Sequence, residues 1–149
     1  MKRINEYKKL FGVENEIELG TLKKKYRNLV KEWHPDKFQD GDAMQEEAEM
    51  NSRKIIDGYH FLVSIAPETK ASNLEAYTET ITNSGIADYN HKGLLLEIIF
   101  LDGSTYEYFG VTKQVYIKMI NSNKINRFAK RTIYPNYMHR MTKRTLETA

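Results

Sequence analysis

The sequence contains no cysteine, so disulfide bonds and thiolate metal ligands are excluded. Apolar runs as long as the ~18 residues that a membrane helix needs are also missing, as is an apolar signal-peptide segment after residues 1–6. Internal repeats and low-complexity stretches are absent. We therefore expect a soluble protein of a reducing compartment, located in the cytoplasm, with no membrane contact.

Acidic residues are scarce at one end of the chain. The formal net charge of +3 divides into balances of +4 over residues 1–37, −9 over residues 38–110 and +8 over residues 111–149. A basic segment of this density is typical of proteins that bind nucleic acid or an anionic surface, although a solvated face without a partner has the same composition. The length of 149 residues fits one ordinary domain or two small ones.

Three helices are predicted in the first half, over about residues 4–11, 19–33 and 43–66. In the second helix the apolar residues fall in one arc of about 100°, and Lys23, Lys24, Arg27 and Lys31 fill a separate arc on the solvent side. Pro35 cannot continue this helix, and Asp42 is a predicted N-cap for the third. Helices with facing apolar stripes and a short connection predict a hairpin.

In the second half of the chain the helical spacing of apolar residues gives way to runs of strand-forming residues. The segment 68–83 is rich in Thr and Glu, and it is either a linker or a poorly specified helix. Asp102-Gly103 separates runs of strand-forming residues, which predicts a hairpin of strands 94–100 and 104–109. Short helices are expected after Thr112 and over 125–131. The predicted fold is thus α+β in two small units, residues 1–67 and 84–149, joined by a linker over 68–83.

The most unusual feature is "HPD" at residues 34–36, directly after the basic helix. A turn that ends the helix is sufficient to explain such a tripeptide. A proline that fixes the backbone between an imidazole and a carboxylate is, however, suited to contact with another protein, where Asp36 would accept hydrogen bonds from an arginine. A hydrolytic His34/Asp36 dyad lacks a nucleophile and an oxyanion loop, so we expect no enzyme.

These residues closely resemble the signature of the DnaJ-type J-domain. The resemblance covers about residues 4–66 and is carried by "LKKKYRNLVKEWHPDKF", "NEYKKLFGV" and "IIDGYHFL". It implies a DnaK-type (seventy-kilodalton heat-shock) chaperone as partner, whose ATP hydrolysis the J-domain stimulates. The chaperone-binding residues that it implies are His34, Pro35, Asp36, Lys23, Lys24, Tyr26 and Arg27.

The chain departs from that family in several places. Asn28 and Glu32 stand where many members carry positive charge, and Gly58 replaces a more usual small helix former. A fourth helix is not legible after Pro67. Neither a Gly/Phe-rich segment nor a Cys-rich zinc region follows in the sequence, which argues against general client capture of the kind that full-length DnaJ proteins carry out.

Residues 84–140 resemble the KTSC domain, a small module also found at the C-terminus of some lysyl-tRNA synthetases. The resemblance is carried by Asp102-Gly103, Tyr106-Glu107-Tyr108 and Gly110-Val111. RNA binding is a usual suggestion for this family. If the face bearing Tyr106 and Tyr108 is exposed, the two rings could stack on bases; alternatively, both are core residues. Residues available to neutralise RNA phosphates include Lys113, Arg127, Lys130 and Arg131.

The sequence therefore predicts a J-domain co-chaperone whose C-terminal domain targets it to a client or to RNA. The alternative is an RNA-binding adaptor with a degenerate J-like scaffold. His60, His91 and His139 have no partners at metal-ligand spacing, so we expect neither a metal nor another cofactor. A monomer is the starting expectation for the oligomeric state.

Overall fold

A computed structural model describes residues 2–37 and 43–143. The chain divides into two compact units, Met1–Ala71 and Ser72–Ala149. Within the described residues, no helix is both long and apolar enough to span a bilayer. The predicted N-cap of the third helix, Asp42, lies outside the described residues.

The first unit is helical. It contains α1 (Lys2–Phe11), α2 (Leu19–Trp33), a 3-10 turn (Pro35–Lys37) and α3 (Ala43–Ile65), and it includes the start of α4 (Pro67–Asn83). Gly12, at a φ of 66°, ends α1 in the left-handed conformation that glycine adopts readily. The helices α1 and α2 both pack against α3. The buried side chains of this unit include Phe11, Leu22, Ile55 and Leu62.

The segment 68–83, for which the sequence left a linker and a helix open, is helical. Pro67 occupies the first position of α4, where its missing N–H group has no helical partner to lose. Glu68 lies in the first turn, where a carboxylate interacts favourably with the helix dipole, and its Oε1 accepts a hydrogen bond from the Leu19 backbone (3.1 Å). Pro67 thus starts a new helix immediately after α3, and the description of 68–83 as a linker is corrected.

The second unit is built on a four-stranded antiparallel sheet in the order β1-β2-β3-β4. Its strands are β1 (Ile86–Lys92), β2 (Leu95–Phe100), β3 (Thr105–Phe109) and β4 (Met138–Lys143). Between β3 and β4 lie α5 (Lys113–Ile120) and α6 (Ile125–Phe128), which runs into a π-helical turn (Ala129–Ile133). The predicted α+β class is confirmed, whereas β4 was not predicted from the sequence.

The Asp-Gly turn between β2 and β3 forms as the sequence indicates. Gly103 has a φ of 90°, and Asp102 Oδ1 accepts hydrogen bonds from both the backbone N–H and the hydroxyl of Ser104 (2.9 and 2.6 Å). Asp102 Oδ2 accepts a further one from Thr80 (2.8 Å). Burial pushes the pKa of Asp102 upward, but the hydrogen bonds from Ser104 and Thr80 outweigh this effect and hold the pKa below its ordinary value.

Gly58 in α3 is explained by close packing against α1. A Cβ atom at this position would lie 2.8 Å from Cδ1 of Tyr7 and 3.1 Å from Cε2 of Phe11. We expect Gly58→Ala to lower the free energy of unfolding by about 1–3 kcal/mol, because overpacking outweighs the better helix propensity of alanine. Chemical denaturation measures this change.

Gly20 in α2 provides the matched control, because an added Cβ there meets no atom within 4 Å. Gly20→Ala should leave stability unchanged or raise it by up to about 1 kcal/mol. A Gly58→Ala variant as stable as Gly20→Ala would show that α1 does not pack as closely on α3 as described.

Candidate functional site

The loop after α2 has a defined backbone conformation. The helix ends at Trp33, and His34 is extended (φ −62°, ψ 127°), as expected for a residue that precedes proline. The 3-10 turn Pro35–Lys37 follows, and the Lys37 backbone N–H donates to the His34 carbonyl (3.0 Å). The tripeptide therefore ends α2 and leads into a short turn that a local backbone hydrogen bond closes.

His34 and Asp36 interact with each other across the proline. The Asp36 backbone N–H donates to His34 Nδ1 (3.2 Å), and Asp36 Oδ2 lies 3.6 Å from the same nitrogen. Because Nδ1 accepts a hydrogen bond, the neutral ring carries its proton on Nε2. The Asp36 side chain is 92% exposed and that of His34 is 50% exposed. The loop thus presents a carboxylate acceptor and an imidazole donor to solvent.

A row of cations leads along α2 to this loop. Lys23, Arg27 and Lys31 are exposed and four residues apart, so they lie one above the other on the helix surface, and Lys24 is exposed beside them. We call Lys23, Lys24, Arg27 and Lys31 the basic strip. Within the part of the chain that the structure describes, no carboxylate lies within 4.0 Å of these cations, so their charge is uncompensated at short range.

Two further residues differ in their surroundings. Lys25 belongs to the same run of lysines, but its Nζ donates to the Gly12 carbonyl (2.8 Å), which ties it to the end of α1. Tyr26 is half-buried, and its ring stacks on Tyr59 of α3 with centroids 4.1 Å apart and planes at 14°. Tyr26 therefore helps to hold α2 on α3 and borders the basic strip.

Lys31 belongs to the basic strip, although it is not among the chaperone-binding residues that the resemblance implies. It lies one turn before His34 and continues the row of Lys23 and Arg27. The spacing of four residues was the available signal. The cationic surface therefore extends along α2 from Lys23 to the loop.

Tyr106 and Tyr108 are both buried, so the exposed stacking face considered from the sequence is absent. Tyr108 has no exposed surface and Tyr106 has 3%. Tyr77 of α4 covers them: its hydroxyl lies 3.0 Å from that of Tyr108, and its ring centroid lies 5.0 Å from that of Tyr106. The core alternative is the correct one for both residues, and neither can stack on a base without unfolding of this unit.

The basic residues of the second unit fall into two groups. Lys113, Arg127, Lys130 and Arg131 are all exposed, but Lys130 Nζ also donates to the Thr82 carbonyl (3.1 Å). Arg140 forms a largely buried ion pair with Glu107. Within the described residues, no group of three or more His, Asp or Glu side chains is placed to hold a metal ion.

The two halves of the chain are similar to different known families. Residues 82–137 match the KTSC domain family. The N-terminal part is 36% identical over 73 residues to the chaperone protein DnaJ of Mesomycoplasma hyopneumoniae, which is 48% of this chain and 19% of that protein. It is 37% identical over 57 residues to DnaJ homolog subfamily B member 6-B of Xenopus laevis, which is 38% of this chain and 22% of that protein.

The matched segments therefore span about a fifth of the length of these curated relatives. No solved structure gives a significant match to the chain. Both resemblances seen in the sequence are confirmed: a part similar to DnaJ proteins precedes a KTSC domain. The similarity supports a protein of the J-domain co-chaperone kind.

The burial of the tyrosines predicts how the stability of the protein changes at alkaline pH. Burial raises the pKa of Tyr77 and of Tyr106 to about 12, and it also raises the pKa values of Tyr108 and Tyr134. In the unfolded chain these phenols ionise near pH 10. Their contribution to stability is therefore complete below about pH 10, and we expect it to be lost as the pH rises towards 12.

The ultraviolet absorbance of phenolate, followed alongside circular dichroism, checks this expectation. Fewer than the ten tyrosines of the chain should ionise near pH 10, and the rest should ionise together with unfolding. In denaturant all ten should titrate in one step. Ionisation of all ten near pH 10 with the native dichroism retained would contradict the buried cluster.

Proposed function

We propose that this protein is a J-domain co-chaperone that binds a DnaK-type chaperone and stimulates its ATP hydrolysis. The observation that carries the proposal is the exposed Asp36 carboxylate, held in a defined loop at the end of an uncompensated basic strip. The similarity of the surrounding residues to DnaJ proteins supports it.

The chemistry of docking follows from these groups. Asp36 accepts a charge-assisted, bidentate hydrogen bond from an arginine of the chaperone, and the fixed loop reduces the entropy lost on binding. The basic strip draws an acidic surface of the chaperone towards the loop. The co-chaperone performs no chemistry itself. It binds one conformation of the chaperone more tightly than another and so shifts the chaperone towards hydrolysis.

The KTSC domain acts in this proposal as the part that brings the co-chaperone to its client. The alternative, an RNA-binding adaptor with a degenerate J-like scaffold, depended in part on exposed tyrosines. Because Tyr106 and Tyr108 are buried, that alternative keeps only the basic charge of the second unit as support.

Removing the charge of Asp36 tests the docking loop. We expect Asp36→Asn to reduce stimulation of the chaperone's ATP turnover by about tenfold or more, because a charge-assisted hydrogen bond contributes about 1.5–3 kcal/mol. The free energy of unfolding should change by less than about 0.5 kcal/mol, since the side chain is exposed. Single-turnover hydrolysis by the DnaK-type chaperone of the same cell is the measurement.

Asp57→Asn is the matched control, because Asp57 is an exposed aspartate in α3, fourteen residues after the start of that helix. It should stimulate as well as the parent protein. The docking role of the loop is wrong if Asp36→Asn also stimulates fully.

The basic strip should act mainly on the rate of encounter. We expect Lys23→Ala with Arg27→Ala to slow association with the chaperone by about threefold to tenfold at low salt, and to make the rate less dependent on salt. Stopped-flow binding at several salt concentrations measures both effects.

Arg53→Ala with Lys54→Ala also removes one arginine and one lysine charge, but from exposed positions in α3, and serves as the control. Equal slowing by the two double variants would indicate a general effect of net charge and would remove the basic strip from the docking surface.

A further inference from the structure

The second unit contains an open cleft of about 840 Å³ beside α6 and the π-helical turn. Three cations line it: Lys124 before α6, Arg127 within α6 and Arg131 within the turn. Neutral donors from Ser122, Asn123 and Thr132 complete the polar lining. The polar lining of the cleft therefore consists largely of hydrogen-bond donors, and its charged side chains are all positive.

The three cations are available for a ligand. All three are exposed, and within the described residues no carboxylate lies within 4.0 Å of them. The sequence has no Asp or Glu between residues 111 and 143. Lys130 and Arg140 differ, because each already has a partner in Thr82 and Glu107, respectively. Only part of the basic charge of this unit is thus directed into the cleft.

The donors are more numerous than a single carboxylate can satisfy. Two guanidinium groups can each donate two parallel hydrogen bonds to an anion, and the lysine ammonium has three donors. The Ser122 hydroxyl oxygen accepts from the Lys124 backbone (3.2 Å), which leaves its proton to donate outward. A row of phosphates, with two unesterified oxygens each, matches a row of such donors.

The spacing also favours a linear polyanion. Lys124, Arg127 and Arg131 follow one another along α6 and the π-helical turn at spacings of three and four residues, which place side chains on one face of a helix. They therefore form a row that can contact successive phosphates of one chain. The cleft is open to solvent, so a long chain can enter it from the surface.

We propose that this cleft binds the phosphodiester backbone of a nucleic-acid strand, with Lys124, Arg127 and Arg131 as the phosphate contacts. Tyr106 and Tyr108 take no part, because both are buried. The proposal is independent of chaperone docking, which involves α2 and the loop after it. Binding through phosphate contacts alone carries little sequence information, so different sequences should bind with similar affinity.

Fluorescence anisotropy of labelled oligonucleotides with the full-length protein tests the proposal. Single-stranded RNA and single-stranded DNA of the same length distinguish the two sources of the shared backbone. With three phosphates neutralised, the logarithm of affinity should fall against the logarithm of salt concentration with a slope of about −2.

A pair of charge-matched variants locates the contact. Arg127→Glu with Arg131→Glu should weaken single-strand binding by about tenfold or more and make the salt slope shallower. Lys92→Glu with Lys118→Glu introduces the same change in net charge at exposed positions of β1 and α5 that do not line the cleft. This control should weaken binding by less than about threefold.

Three results would overturn the proposal. Equal weakening by the two variants would assign binding to diffuse positive charge. No binding of RNA or DNA strands at low salt would exclude a nucleic-acid ligand. Displacement of the oligonucleotide by polyglutamate at equal charge concentration would identify an acidic protein segment as the better occupant. Circular dichroism of both variants verifies that each remains folded.

Discussion

The packing of α2 on α3 is the contact on which the candidate docking surface depends. The two helices pack together, Leu22 of α2 and Ile55 of α3 are buried, and the ring of Tyr26 stacks on that of Tyr59. With its inner face held in this way, α2 turns the basic strip to solvent. Because Pro35 cannot continue the helix, α2 ends at Trp33. The exposed Asp36 carboxylate lies three residues further on, at the end of that strip.

Much of the first unit was predictable because its signals are local. The apolar spacing, Pro35 and the turn at Gly12 indicate α1, α2 and α3, and the packing of Tyr7 explains why position 58 is glycine. The helix α4 was ambiguous because its residues are mostly polar and few are buried. The strand β4 was missed because its conformation depends on pairing with β3, whose residues lie 29 to 38 positions earlier in the sequence.

The candidate sites show the same division between local and non-local information. The exposed loop could be predicted because the tripeptide and its preceding helix define it. The burial of Tyr106 and Tyr108 could not be predicted. The two-residue period of a strand shows that their side chains share a face, but not what covers that face. That cover is Tyr77, from a helix that the sequence did not specify. The cleft beside α6 likewise required knowing which cations already have partners.

Mapping of backbone amide resonances on addition of the ATP-bound DnaK-type chaperone tests the central claim most directly, because it reports the contact surface without any substitution. We expect the perturbed amides to lie in the exposed face of α2 and in the loop, at Lys23, Arg27, Lys31, His34 and Asp36, with the strands β1 to β4 unaffected. Perturbations confined to the second unit, or none in α2 and the loop at saturating chaperone, would contradict docking through the His34–Asp36 loop.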